Sequence, residues 1–251
     1  MAMTDMDAGA GIREELDVTL FIPCLNEENR VVPTLETVRE AMAELGHSYE
    51  VIVVDDGSTD RTAEVVEEFC RSNPQMPVRL HRNDRNRGLS RSFVDTAFRG
   101  RGRYYRLVCG DNVEPKHSMI KILRQMGKAD IIIPYYPSLP GKSRTRKAIS
   151  GLYTLIVNML AGHRIHYYNG CALYSRFQVM RWASYNFGFG FQADLITKLL
   201  DEGATYMEVP IDGFHLTRDR GSALNFRNFL STGHTLSEIF IRRIRGIVYH
   251  N

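Results

Sequence analysis

The chain reads as an α/β protein, a mostly parallel central sheet in a three-layer α/β/α sandwich, and three observations lead there. Short β-branched runs alternate with amphipathic helical stretches through the first half, the pattern of consecutive βαβ units. Clusters of Asp, Asn and Gly follow directly on three of the apolar runs, where an open parallel sheet presents its strand ends to a ligand. With 251 residues, 43% of them hydrophobic, the chain can fill the core of one large domain or of a domain with an appended subdomain.

The first strand is expected over residues 18–22, a run of Val, Thr, Leu, Phe and Ile suited to burial. Val31, Leu35, Val38, Met42 and Leu45 then recur at helical spacing, with Pro33 tolerable in the first turn and Gly46 as the stop. Residues 49–54 read as the second strand, and Asp60 is placed to cap a helix over 61–70 by accepting from its free backbone N–H groups. Strands over 78–81, 105–108 and 130–133 and helices over 89–99 and 117–126 continue the series. After Ile133 the pattern changes. Pro134, Pro137, Pro140 and Gly141 break regularity, and Lys142, Arg144, Arg146 and Lys147 form a basic loop ahead of an apolar helix over 149–160. A Gly-rich aromatic segment over 185–191, a helix over 193–200, a strand over 206–209 and an amphipathic helix over about 224–245 complete the chain.

A formal charge of +3 is too small to argue for nucleic acid but suits a phosphorylated ligand or an anionic membrane surface. Cys24, Cys70, Cys109 and Cys171 show no CxxC spacing. They support neither a zinc site nor a disulfide framework and make a reducing, cytoplasmic compartment the natural expectation. The first sixteen residues lack the apolar core of a signal peptide, and no stretch reaches the roughly 18 apolar residues of a membrane span. The chain is therefore not expected to cross a bilayer by itself.

Chemistry gathers behind three strands: Pro23-Cys24-Leu25-Asn26-Glu27-Glu28, Asp55-Asp56-Gly57-Ser58-Thr59-Asp60 and Cys109-Gly110-Asp111-Asn112. Two adjacent acids behind an apolar run would be costly in a core. Asp55 and Asp56 are thus expected to face solvent, a cation or the donors of a ligand such as a nucleobase and ribose. The plain alternative is a capped turn, for which Asp-Gly-Ser-Thr-Asp is equally good chemistry.

The run from Ile22 to Glu28, followed by Glu50-Val-Ile-Val-Val-Asp-Asp-Gly-Ser-Thr-Asp-Arg-Thr62, resembles the opening of family 2 glycosyltransferases with the GT-A fold. Asn86-Arg87-Gly88-Leu89 resembles that family's next block, and Cys109-Gly110-Asp111 stands where its metal-binding Asp-x-Asp is expected. Phe191-Gln192-Ala193-Asp194 and Glu208-Val-Pro-Ile211 are similar to the dolichyl/polyprenyl-phosphate mannose synthase branch. The resemblance implies a glycosyltransferase domain over 17–222, with a nucleotide-binding half over 17–133 and an acceptor half over 134–222. A flexible N-terminus over 1–16 and a C-terminal helix over 223–251 would flank it.

From the resemblance, Pro23, Leu25, Asn26, Glu27, Asp55, Asp56, Ser58, Arg87, Gly88, Cys109 and Gly110 would bind the nucleotide. A divalent cation, Mg²⁺ or Mn²⁺, would bridge the two phosphates and neutralise the leaving nucleoside diphosphate. Asp111 is its ligand, and His215 a candidate second one. Cys109 departs from the family's acid, and a soft thiolate does not suit Mg²⁺. Asp194 is the candidate base for an inverting transfer, unless the acceptor is a lipid phosphate, already anionic and in need of none; as an acid in a helix's first turn it could also simply complement the dipole. Arg144, Arg146, Lys147, Gln192, Arg218, Arg220 and Ser222 would contact phosphates or acceptor, although either cation cluster could be a solvated charge run.

The expected activity is transfer of a sugar, mannose from GDP-mannose by the resemblance, to a lipid-linked acceptor such as polyprenyl phosphate. Two alternatives stand beside it: a UDP-sugar transferase with another lipid, glycan or protein acceptor, and a non-catalytic nucleotide-sugar binding module. The last helix would pack on the domain or lie on the inner face of an anionic membrane, alone or with a membrane partner subunit.

Overall fold

The structure, a computed structural model, describes residues 15–137, 144–181, 188, 190–212 and 226–249. Its strands are β1 (Leu16–Cys24), β2 (Tyr49–Asp55), β3 (Val78–Arg82), β4 (Gly102–Leu107), β5 (Ile131–Tyr135), β6 (Leu173–Ser175) and β7 (Tyr206–Pro210). Its helices are α1 (Val31–Leu45), α2 (Thr62–Ser72), α3 (Leu89–Arg99), α4 (Lys116–Leu123), α5 (Arg144–Ala161), α6 (Arg176–Met180), α7 (Phe191–Asp201) and α8 (Phe226–Tyr249). One sheet of order β3-β2-β1-β4-β6-β5-β7 joins all the strands. Its pairings are parallel except for the two made by β6.

Side chains alternate between the faces of a strand, and the sheet uses both. Val18, Leu20 and Ile22 of β1 join Val51 and Val53 of β2 against Val31, Leu35 and Val38 of α1, Val66 of α2 and Ile120 of α4. The intervening Phe21, Ile52 and Val54 point the other way, with Tyr105 and Leu107, into a second core. Phe93 of α3, Val157 of α5 and Leu195 of α7 close that side. Burial on both faces makes these strands nearly continuous apolar runs, each fully buried side chain being worth about 1.5–3 kcal/mol. This is the expected three-layer sandwich.

The differences from expectation are local. Pro134 does not end regularity but lies inside β5. It pairs with Val209 of β7, while β6 engages only Ile131 and Ile132, so on that side no partner needs the N–H that proline lacks. The basic residues Arg144, Arg146 and Lys147 belong to the first turns of α5, not to a loop, as long straight-chain cations are good helix formers. α4 stops at Leu123, and tighter turns, Gln125 N–H to Ile122 O and Met126 N–H to Leu123 O, carry the chain onward. β6 spans three residues, too few for a periodic signal. β1 starts at Leu16, within the stretch expected to be flexible. Of the aromatic segment expected over 185–191, residues 185–187 and 189 lie outside the described residues.

At the N-terminal ends of the strands one carboxylate joins four segments. Glu50 of β2 is 1% exposed. Its Oε1 accepts from the Thr19 hydroxyl of β1 at 2.8 Å and from the Arg101 backbone N–H just before β4. Its Oε2 accepts from the Arg79 guanidinium of β3 at 2.6 Å. Burial alone would raise this acid's pKa, but those donors together hold it below the ordinary carboxylate value. A depressed folded pKa contributes stability that is complete above the unfolded value, about 4.3, and disappears as pH falls through the folded one. Glu50→Ala is therefore expected to cost about 1–3 kcal/mol at neutral pH, from the donors it leaves unsatisfied. In urea melts at several pH values, the gap to wild type should narrow below about pH 4; a gap that ignores pH would contradict the assignment.

Candidate active site

The C-terminal ends of β2, β1 and β4 lie side by side, because Cys24 is in register with Asp55 and Phe21 with Leu107. The chain leaves β1 toward β2 and β3 on one side and returns to β4 on the other. Such a reversal opens a crevice outside the strand ends.

The loops around it are knitted by side chains reaching for backbone. Asn26, in the left-handed region at φ 58, donates its N–H to Ser58 Oγ at 2.9 Å and accepts the Thr59 N–H on Oδ1 at 2.8 Å. Asn tolerates that backbone better than most residues. Glu27 N–H reaches Thr62 Oγ1 at 2.8 Å. Asp60 takes the Thr62 N–H at the start of α2 on one oxygen, in the way of a cap, and the Glu28 N–H on the other. It thus also staples the first two loops together.

Asp55 and Asp56 are both buried, but their surroundings differ. Asp56 is surrounded by the protein's own donors: Oδ1 accepts from the Arg87 N–H at 2.9 Å and Asn83 Nδ2 at 2.7 Å, and Oδ2 from the Gly88 N–H at 2.9 Å. Asp55 accepts the Ser58 N–H on Oδ1 at 2.9 Å, while its Oδ2 lies 3.9 Å from Arg82 Nε. The expectation that both acids face a ligand thus meets an acid already occupied in fixing the 83–88 loop. Gly57 makes this closeness possible, since a Cβ there would lie 2.7 Å from the Asn86 backbone nitrogen and its φ is +81°. The Arg87 side chain turns to Asp95, 3.5 Å away. Pro23 is half-buried, whereas Leu25 stands exposed at the rim.

Beyond β4, Gly110 slides under β1, where a Cβ would meet Pro23 O at 2.7 Å and Cys24 Sγ at 2.8 Å. Its carbonyl accepts from Thr34 Oγ1 of α1 at 3.1 Å. Asp111 follows. Beneath the loop Arg106, 1% exposed, gives Nη2 to Glu114 Oε1 at 2.6 Å and Nε to Cys171 O at 3.2 Å. Cys109 Sγ lies 3.7 Å from Cys171 Sγ, both being free thiols. The hydrogen bond with Cys171, and burial after it, push the Cys109 thiol far above its ordinary pKa. A neutral thiol is no ligand for a hard cation, and among the described residues no three His, Cys, Asp or Glu side chains gather as a ready metal cage. Asp111 and Glu114 are the carboxylates of the loop beyond β4, and Glu114 is held by Arg106.

Gln192 is half-buried in the first turn of α7. Asp194 is 3% exposed, and its Oδ1 accepts from Arg242 Nη1 of α8 at 2.7 Å. Arg242 also donates to Asp201 at 2.9 Å and to Thr197 Oγ1. An acid so covered joins α7 to α8. Arg144 and Lys147 are exposed on α5. The Arg146 side chain, Arg218, Arg220, Ser222 and His215 lie outside the described residues.

Three contributors escaped the sequence reading. Asn83 directly follows β3, and the strand-end rule applied there would have found it. Arg106, flanked by Tyr105 and Leu107 in a buried strand, carried its own signal, since charge in a core needs a partner. Arg242 carried none, because a cation in an amphipathic helix reads as solvated.

Known proteins resemble the chain in both sequence and fold. The dodecaprenyl-phosphate galacturonate synthase of Rhizobium johnstonii is 30% identical over 166 residues, 64% of this chain and 47% of that protein. A dolichyl-phosphate β-glucosyltransferase of Trichomonas vaginalis is 30% identical over 144 residues, 53% of this chain and 42% of that one. The chain thus spans less than half the length of these curated relatives. Among solved structures, glucosyl-3-phosphoglycerate synthase of Mycobacterium tuberculosis, with Mn²⁺, UDP and glucosyl-3-phosphoglycerate, superposes with a TM-score of 0.64 at 15% identity, over 91% of this chain and 80% of that one. The mannosyltransferase PcManGT of Pyrobaculum calidifontis, with GDP-Man and Mn²⁺, gives 0.63 at 16% identity, over 93% and 65%. These likenesses place the fold among GT-A glycosyltransferases. The glycosyl transferase family 2 profile matches residues 19–181, well over half of the chain, and the protein with its three knitted strand ends belongs to that family.

Proposed function

We propose that this chain catalyses metal-dependent, inverting transfer of a sugar from a nucleoside diphosphate to the phosphate of a polyprenyl lipid. The observation that carries the reading is the meeting of three loops at the β2-β1-β4 ends, with Asp55 on one side and Asp111 on the other, in a family 2 chain. Relatives named for dodecaprenyl- and dolichyl-phosphate products support the lipid acceptor. Similar folds holding UDP in one case and GDP-Man in another make both nucleotides candidate donors, GDP-mannose being the one the sequence resemblance favours.

In this reading Pro23, Leu25 and Asp55 line the nucleoside, with Asp55 Oδ2 as acceptor for base or ribose donors. Asp56 acts through the backbone it fixes at Arg87 and Gly88 and is a positioning residue. Asp111 and the donor's own phosphate oxygens would hold a Mg²⁺ or Mn²⁺ ion, whose charge offsets that developing on the leaving diphosphate. The acceptor's phosphate oxygen attacks the anomeric carbon from the face opposite the leaving group, the sugar–diphosphate C–O bond breaks, and the configuration inverts. No proton has to be removed from an anionic phosphate, so Asp194 serves here by holding Arg242 and hence α8. Arg144 and Lys147 offer counter-charge to the acceptor.

Three outcomes are expected. GDP or UDP with Mn²⁺ should raise the melting temperature and the metal-free nucleotide should not, saturation at a hundred Kd being worth about 2.7 kcal/mol; the absence of a metal-dependent shift with either nucleotide would sink the donor assignment. Asp111→Ala should abolish both that shift and turnover with polyprenyl phosphate, and an active variant would remove Asp111 from the metal. Asp194→Asn should keep kcat within about tenfold and leave its pH profile unchanged, whereas removal of a true general base costs on the order of 10²–10⁴. A donor screen with polyprenyl phosphate and mass analysis of products tests the whole reading, which donor binding without any transfer would refute.

A further inference from the structure

α5 and α8 pack against each other, and each is apolar on two sides. α5 buries Val157 and Ala161, and α8 buries Thr235 and Ile239. Both also send large apolar side chains outward. On α5 these are Ile149, Leu152, Leu155 and Met159, 48–74% exposed; on α8 they are Phe240, Ile241, Ile244 and Val248, 43–60% exposed. Of the twelve large apolar side chains that the described residues leave exposed, eight belong to these two helices. Spaced three to four residues apart, they form stripes rather than scattered points, and stripes of this kind mark an interaction surface.

The charges around the stripes choose the partner. α5 contains no Asp or Glu. α8 contains one, Glu238, which lies 3.9 Å from His234 of its own helix. Arg144 and Lys147 at the start of α5 and Arg243 and Arg245 on α8 are exposed. Arg242, by contrast, turns inward to Asp194 and Asp201, so α8 stays attached to α7 while its apolar stripe faces away. Apolar side chains rimmed by cations, on helices with almost no acids, suit the boundary between acyl chains and anionic headgroups.

We infer that the paired α5 and α8 faces dock this chain onto an anionic lipid bilayer, with the apolar stripes inserted among the headgroups and the four exposed cations against their phosphates. α5 carries Arg144 and Lys147 and α8 is tied to Asp194, so docking would bring the residues proposed to meet the acceptor to the surface where a polyprenyl phosphate resides. The proposal adds a partner to the lipid-acceptor reading without depending on it.

Co-sedimentation of the whole chain with vesicles of phosphatidylcholine, with or without phosphatidylglycerol, tests it in the absence of nucleotide and polyprenyl lipid. Binding is expected to the anionic vesicles and to weaken with added salt. The double variants Leu152→Glu with Met159→Glu, and Phe240→Glu with Ile244→Glu, should each lower partitioning by roughly tenfold or more. Arg243→Gln and Arg245→Gln should each lower it roughly fivefold. Because all these side chains are exposed, melting temperatures and the nucleotide-dependent shift should stay at wild-type values, which separates failure of this proposal from failure of the donor assignment. The proposal is overturned by equal binding to neutral vesicles, by no binding to anionic ones, or by variants that bind like wild type. A wild-type dimer that the double variants convert to monomer would assign the face to a second copy and overturn it equally.

Discussion

Asp56 sits just beyond the buried end of β2, where an unsatisfied carboxylate would be costly. Two backbone N–H groups and one side-chain amide solve that problem, and in doing so they decide the shape of the crevice. The 83–88 loop is drawn against the end of β2, Gly57 permits the approach, and the neighbouring Asp55 is left one oxygen whose nearest cation is 3.9 Å away. Adjacent acids thereby differ, one holding the wall and the other keeping one oxygen outside that network.

β2 carries a second buried acid at its opposite end, and the contrast separates stability from chemistry. Glu50 ties the entry ends of β1, β2 and β3 to the turn before β4 through a hydroxyl, a guanidinium and a backbone N–H. Nothing there faces the crevice. The exit ends add neutral contacts to those of Asp56 and Asp60, such as Asn26 with Thr59 and Glu27 with Thr62, which fix the loops around the crevice.

Much of this was legible because its determinants are local. Apolar runs and their stops located most strands and helices, and the polar clusters after β1, β2 and β4 marked the crevice before any coordinates. What escaped depends on distant pairing. Pro134 looks like a breaker until β6 is seen to stop short of it; Arg144 looks like part of a loop because Pro140 and Gly141 precede it; Asp194 looks like an exposed acid until Arg242, 48 residues away, covers it. Cys109 and Cys171, 62 residues apart, meet at 3.7 Å because β6 inserts antiparallel beside β4, which no local pattern announces.

Gly110 leads to a different kind of consequence. A single added carbon there would press on Pro23 O and Cys24 Sγ, both parts of the central strand that cannot yield without disturbing the sheet. Its neighbour at 109 packs on the core and meets Cys171 Sγ at 3.7 Å. The two positions are therefore constrained differently: any side chain at 110 presses on β1 and displaces the chain path into Asp111, whereas at 109 the constraint comes from the core beneath and from a partner on a distant segment.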